Sequence, residues 1–389
     1  MGDARGVRVA EALSTRPDAG EAVAEVADVL LERLGRHPDA LLVFMTPHHH
    51  GAGGLVLRRL QRRLSPDAVV GGTFSGVIGG GREVEREPGL AVWGVHLPGT
   101  RLQSFHLALG GGGSVVRGWP DVDHTASVVL LPDSYSFPVE PFLDSIHERR
   151  PDLPSIVGGM LSGADRAGGN LLFTEDGLHD SGAVGLVLQG GCRLQPLVAA
   201  GCRPFGPALR VTRSEHNLVY ELGGRPAFEG LSELLAELDD SSRRSFMRAP
   251  HVGVRPAGSP LEAGDFLVRG VMGVDPEDGA IALSEQIETG ALLRFQMCDH
   301  RAADEQMRNL LGMANSYHDE VHGALLFCCG ARGRNLFRTP DHDVATMREF
   351  WPGLPVAGAF VDGELGPQAG RPGLHGLTAT MGLLVPSEG

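Results

Sequence analysis

The stretch VVGGTFSGVIGGG, Val69–Gly81, decides how the chain is read. Two β-branched residues run into two glycines, then Thr-Phe-Ser, then more glycine. Taken alone it fits a phosphate cradle, a nucleophile turn, or a buried strand that ends in a sharp bend. Motif order excludes a P-loop and a nucleophile elbow. The serine stands in G-x-x-S-G, not in the G-x-S-x-G of a nucleophile elbow, and no G-K-[ST] follows the glycines. All 34 basic residues are arginine, so P-loop, Schiff-base and Ser-Lys chemistry is excluded outright.

Working outward, the order strand, helix, strand, glycine turn is written three times. ALLVFMTPHHH (40–50) is followed by LVLRRLQRRL and VVGGTFSG; ASVVLLPDSYS (126–136) by VEPFLDSIHERR and SIVGGMLSGADRAGG; GALLFCCGARG (323–333) by VATMREFW and PVAGAFVDGELG. First strand and turn lie roughly 30 residues apart, the length of a βαβ unit. Runs such as Leu41–Phe44 and Val128–Leu131 are apolar on both faces, as parallel strands covered by helices should be. The glycine turns are therefore expected at carboxyl ends of strands, where open α/β sheets bind ligands.

Elsewhere the pattern alternates. GLAVWGVHL (89–97), SGAVGLVLQ (181–189) and the segment 266–297 read as antiparallel strands, with Asp275–Gly279 as a hairpin turn. Amphipathic helices are expected at EAVAEVADVLLERL and AADEQMRNLLGMANSYH. Residues 223–260 pass from a helical pattern to a polar, proline-containing stretch, which marks the expected domain boundary. The expected fold class is α/β, in two related halves. Each half combines repeated βαβ units ending in glycine turns with an antiparallel strand meander, and the expected domains are 1–222 and 223–389.

The 389 residues are 42% hydrophobic and 21% charged, values of a globular protein. A net charge of -14 speaks against nucleic acid as a partner. No apolar run is long enough to span a membrane, and the polar amino terminus is no signal peptide. Five cysteines at no framework spacing fit a reducing compartment, so a cytoplasmic location with free thiols is expected.

The stretches VVGGTFSGVI, IVGGMLSG, GCRPFGPALRVTRSEHNLVYELGGRPA, LLFCCGARGRNLF and PVAGAFVDGELGP, in this order, resemble the FIST sensory family. The likeness runs from about Leu41 to Val385 and covers its N-terminal and C-terminal segments. It implies an intracellular sensory and signal-transduction module that binds small ligands, amino acids among those proposed. Relatives are often fused to kinase, chemoreceptor or F-box segments; none is visible here, so the chain is expected to be free-standing.

The candidate ligand-binding residues are Gly72, Thr73, Ser75, Gly76, Arg203, Cys329, Arg332, Gly363 and Glu364. Backbone N–H groups and hydroxyls of the first turn suit a carboxylate or phosphate, or simply permit tight packing. Glu364 suits an ammonium group and Arg332 a carboxylate. Their truncation to alanine is expected to abolish binding without unfolding. Cys328 and Cys329 end a strand beside Arg332, where a cation lowers a thiol pKa; packed, inert cysteines fit the same pattern. His48–His50, and His318 with His322 at i, i+4 near a helix end, lack a zincin order. No catalytic residue, metal site or cofactor is expected. The leading expectation is a two-domain binder of a small anionic or zwitterionic metabolite at an inter-domain pocket, whose closure signals to a protein partner. The alternatives are a cysteine-dependent enzyme in the same pocket and a ligand-free interaction scaffold.

Overall fold

Apolar runs without alternation become strands buried on both faces. In the computed structural model these are β1 (Ala40–Met45), β2 (Ala68–Thr73), β4 (Ser127–Pro132) and β7 (Val356–Val361), every residue of which is buried. The structure describes residues 6–110, 115–149, 152, 155–248, 250–258, 266–368 and 370–387. By packing they form two units. One comprises Met1–Ala199, Arg308–Leu374 and Thr378–Gly389; the other comprises Ala200–Met307 and His375–Leu377. The segment 223–260 lies within the second.

In the first unit β1 runs parallel to β2, joined by α1 (Gly53–Leu64). Likewise β4 pairs in parallel with β5 (Ser155–Gly159) across α2 (Val139–Arg149). The third such pair is β6 (Gly323–Cys329) and β7, across α3 (His342–Phe350). Each helix buries one apolar stripe; α1 buries Val56, Leu57, Leu60 and Leu64, spaced at one helical turn.

Each second strand then gives its continuation to another sheet. After β2, Phe74 and Ser75 lead into β3 (Gly76–Gly79), which lies antiparallel to β7 with Gly76 opposite Phe360. Beyond β7, Asp362 and Gly363 lead into β8 (Glu364–Gln368), antiparallel to β5 with Glu364 opposite Gly159. From β5 the chain returns to the strand Leu172–Thr174, antiparallel to β2 with Leu172 opposite Gly72. The three exchanges close a cycle. Their sheets share one core, in which Phe44 packs on Phe74 at 5.6 Å and edge-on to Phe327 at 6.1 Å, with Val157, Leu131 and Val361 in the same cluster.

The second unit is a mostly antiparallel sheet that closes on itself. The strand Leu292–Cys298 pairs with its neighbour Leu209–Glu215 and also with His251–Arg255 at the far end of the strand order. Its core holds Phe205, Phe246 and Phe295. The Asp275–Gly279 turn forms as expected: Asp275 Oδ1 accepts the N–H groups of Glu277 (3.0 Å) and Asp278 (3.1 Å), and Gly279 takes φ +68°. Cys202 and Cys298, opposite each other in register, form a disulfide, which corrects the expectation of five thiols; Cys192, Cys328 and Cys329 are free.

The histidine pair is also corrected. The helix His300–Tyr317 ends before His318, and His322 N–H already donates to Leu384 O, so no i, i+4 pair forms. The 47–52 segment is a 3-10 helix with His49 buried and His48 and His50 exposed. Among the described residues no helix is long and apolar enough to cross a membrane.

Candidate functional site at the converging strand ends

The cyclic exchange brings three turns to one place, and Ser162 joins them. Its Oγ accepts the Ser75 N–H (3.0 Å), donates to Phe360 O (2.6 Å) and lies 3.2 Å from Ser75 Oγ. Gly163 N–H donates to Thr73 O (3.2 Å), Met160 N–H to Gly363 O (2.9 Å) and Asp362 N–H to Met160 O (3.2 Å). Residues following β2, β5 and β7 are thus hydrogen-bonded to one another, at the carboxyl ends of parallel strands.

Around Ser162 the turns present polar groups. Ser134, just past β4, donates to Leu161 O and lies 3.2 Å from Asp362 Oδ2. Tyr135 OH donates to Ala164 O (3.2 Å). Burial raises the Asp362 pKa above the usual carboxylate range, while Ser134 pulls it back. Beneath runs a buried chain: Thr73 Oγ1 accepts Leu171 N–H (3.0 Å) and donates to Asn170 Oδ1 (3.2 Å), and Asn170 Nδ2 donates to Asp133 Oδ1 (2.8 Å). Asp133 Oδ2 in turn accepts Ser136 Oγ–H (2.6 Å). With its members paired, this chain holds the turns in one arrangement.

Beside the turns lie the charges at the ends of β6 and β7. Arg332 is 1% exposed and grips Asp343 with two bonds, Nε to Oδ2 at 2.7 Å and Nη2 to Oδ1 at 2.8 Å. His342 stacks on Phe337 at 3.5 Å, and its Nδ1 meets Asp343 Oδ1 at 3.0 Å. Burial alone would raise the Asp343 pKa, but the Arg332 and His342 partners hold it below the usual range. Glu83 Oε1 accepts the N–H groups of Asp343 (2.8 Å) and Val344 (3.0 Å) at the start of α3. Burial and the Asp343 charge nevertheless push Glu83 up to about 7. Glu364 is fully buried; Thr378 donates to its Oε2 from Oγ1 (2.6 Å) and N (3.0 Å). Burial raises it to about 8, against the pull of Thr378, Arg332 and Cys329.

Of the residues singled out in the sequence, Gly72, Thr73, Ser75, Gly76 and Gly363 lie in the hydrogen-bonded turns or their flanking strands, and Cys329, Arg332 and Glu364 at the adjoining strand ends. Arg203 is exposed on a strand of the second unit. Gly72 and Gly76 allow close approach: a Cβ would meet Leu161 Cδ2 at 2.6 Å and Phe360 Cδ2 at 2.8 Å. The alternative in which Arg332 activates Cys328 fails. That thiol is fully buried and faces Asp343 Oδ2 at 3.3 Å, and burial followed by the Asp343 and Glu83 charges raises its pKa well above the ordinary value. Truncating Arg332 would strand the buried Asp343 carboxylate, so a loss of stability is expected beside any loss of binding. Sequence reasoning missed Ser134, Ser162, Asp362 and Asp343. The Leu-Ser-Gly of the second turn was a usable signal for Ser162, since Phe-Ser-Gly marks Ser75 in the first.

The FIST N domain matches residues 39–225 and the FIST C domain residues 227–367. An uncharacterized protein of Mycobacterium tuberculosis strain H37Rv is 36% identical over 390 residues, spanning 97% of this chain and 100% of the relative. An uncharacterized protein of Mycobacterium bovis is 35% identical over 390 residues, spanning 97% and 99%. FIST domains are regarded as sensory, ligand-binding domains. With both domain types in order along most of its length, the chain belongs to the FIST family.

Proposed function

We propose that this chain is a sensory protein that binds a small amine-bearing metabolite of amino-acid type where its three glycine turns converge. The supporting observation is the junction at Ser162, which hydrogen-bonds Ser75, just past β2, and Phe360 near the end of β7. An ammonium group requires a carboxylate and further acceptor oxygens within reach. Asp362, with the hydroxyls of Ser134, Ser75 and Ser162, offers that set on a surface-reaching patch. In this reading Gly72, Gly76, Thr73 and Gly363 shape the turns. Cys329, Arg332 and Glu364 brace the strand ends behind the ligand, and Arg203 remains a candidate anion partner in the second unit.

The reading extends to a cytoplasmic setting and a signalling protein partner. It also takes the two halves, 1–222 and 223–389, as related segments, divided by descent rather than by packing. A thermal-shift panel of amino acids, simple amines and the matching deaminated acids tests the ligand class. A ligand at 100 times its Kd adds about 2.7 kcal/mol to stability, so a selective shift by amine-bearing compounds is expected. Equal shifts by the deaminated acids, or no shift by any amine, would contradict the proposal.

A further inference from the structure

At the opposite ends of β4 and β5 the first unit holds a separate recess of about 580 Å³. Its wall is formed by the turn ahead of β4, the first residues of β4 and β5, the strand Cys192–Ala200 and the residue after the last strand. The length of β4 puts it about 20 Å from Ser134, at 3.3 Å per residue. The volume lies within the range of small-molecule sites.

The chemistry of this wall differs from that of the strand-end site. None of its residues is acidic, in a chain with 48 acidic against 34 basic residues, and it carries both Arg193 and His124. Arg193 Nη1 donates to Gln195 Oε1 (2.6 Å), which holds the guanidinium along the strand. The nearby Asp123 carboxylate is taken by Thr125, through N (2.8 Å) and Oγ1 (2.6 Å), and by Gln189. Ser127 Oγ is committed to Leu194, accepting its N–H at 2.9 Å. The hydroxyls of Ser155 and Ser387 make no hydrogen bond with the described residues.

We propose that this recess binds a phosphorylated, hydroxyl-bearing metabolite, with the phosphoryl group on Arg193 and His124 and its hydroxyls on Ser155, Ser387 and Gln195. A phosphoryl group offers three acceptor oxygens, enough for a guanidinium, an imidazole and a hydroxyl together, where a carboxylate offers two. Ser and Gln side chains both donate and accept, as a polyol requires. The site does not depend on the strand-end ligand.

Calorimetric titration of glucose 6-phosphate, glucose and inorganic phosphate into the full chain tests the assignment, repeated with Arg193→Ala and with Ser387→Trp, which fills the recess from its rim. Glucose 6-phosphate is expected to bind at least about tenfold tighter than either fragment, a difference of one charge-assisted bond or more. Arg193→Ala should weaken it by at least about tenfold, and Ser387→Trp should abolish it. No binding up to about 10 mM, or binding that survives both variants, would overturn the site. Equal affinity for inorganic phosphate would overturn the hydroxyl recognition.

Discussion

Glu364 offers a prediction whose sign and size both come from its burial. Its carboxyl is fully enclosed and its pKa stands at about 8, against 4.5 for an ordinary glutamate. Between these values the folded chain keeps a proton that the unfolded chain has released. Stability from this group is therefore complete below pH 4.5 and is lost as the pH rises towards 8. The slope is about 1.4 kcal/mol per pH unit, or roughly 3 kcal/mol between pH 5 and 7. Glu364→Gln keeps an acceptor for Thr378, which donates from Oγ1 (2.6 Å) and N (3.0 Å), and removes the titration. At roughly 2 °C per kcal/mol for a unit of this size, the wild type should lose about 6 °C more than the variant over that interval. Thermal melts at half-unit pH steps measure it. Parallel pH profiles for the two proteins would refute the reasoning, since they would mean that Glu364 is ionised in the folded state.

Other consequences follow from the same geometry. Arg332→Ala or Asp343→Ala should each cost about 3–5 kcal/mol in denaturant unfolding, and the double variant less than their sum; full additivity would mean the two do not act as a pair. Gly163→Ala places a Cβ 2.7 Å from the Thr73 backbone and should cost about 1–3 kcal/mol; an unchanged melt would mean the turns are not closely apposed. Denatured without reductant, the chain should show three titratable thiols, those of Cys192, Cys328 and Cys329. Five would mean Cys202 and Cys298 are unpaired.

How much of this was legible in the sequence depended on whether local pattern or distant pairing decided it. Leu41–Phe44 and Val128–Leu131 could be read as strands because a strand covered on both faces has no polar position to alternate. The Asp275–Gly279 turn was readable because an aspartate that bonds N–H groups two and three residues on, followed by glycine, is a local device. By contrast, β3 has only four residues, and nothing in GVIG says that it leaves the sheet of β2 to lie beside β7. The convergence at Ser162 depends on that exchange. Asp343 carried no signal, because its partner Arg332 is fixed by the end of β6 and the start of α3 rather than by spacing. Glu364 was readable as a glutamate in a glycine turn, but its complete burial follows from the pairing of β8 with β5. The disulfide likewise depends on the register of two strands 96 residues apart.

The central claim is that the three turns form one ligand site with Asp362 as its carboxylate. Its most direct test is calorimetric titration of the best amine-bearing compound from the thermal-shift panel into wild type, Asp362→Asn and Ser162→Ala. Loss of the ion pair should weaken binding at least about tenfold in Asp362→Asn, with Ser162→Ala weaker than wild type and both variants folded. Unchanged affinity in Asp362→Asn would contradict the account.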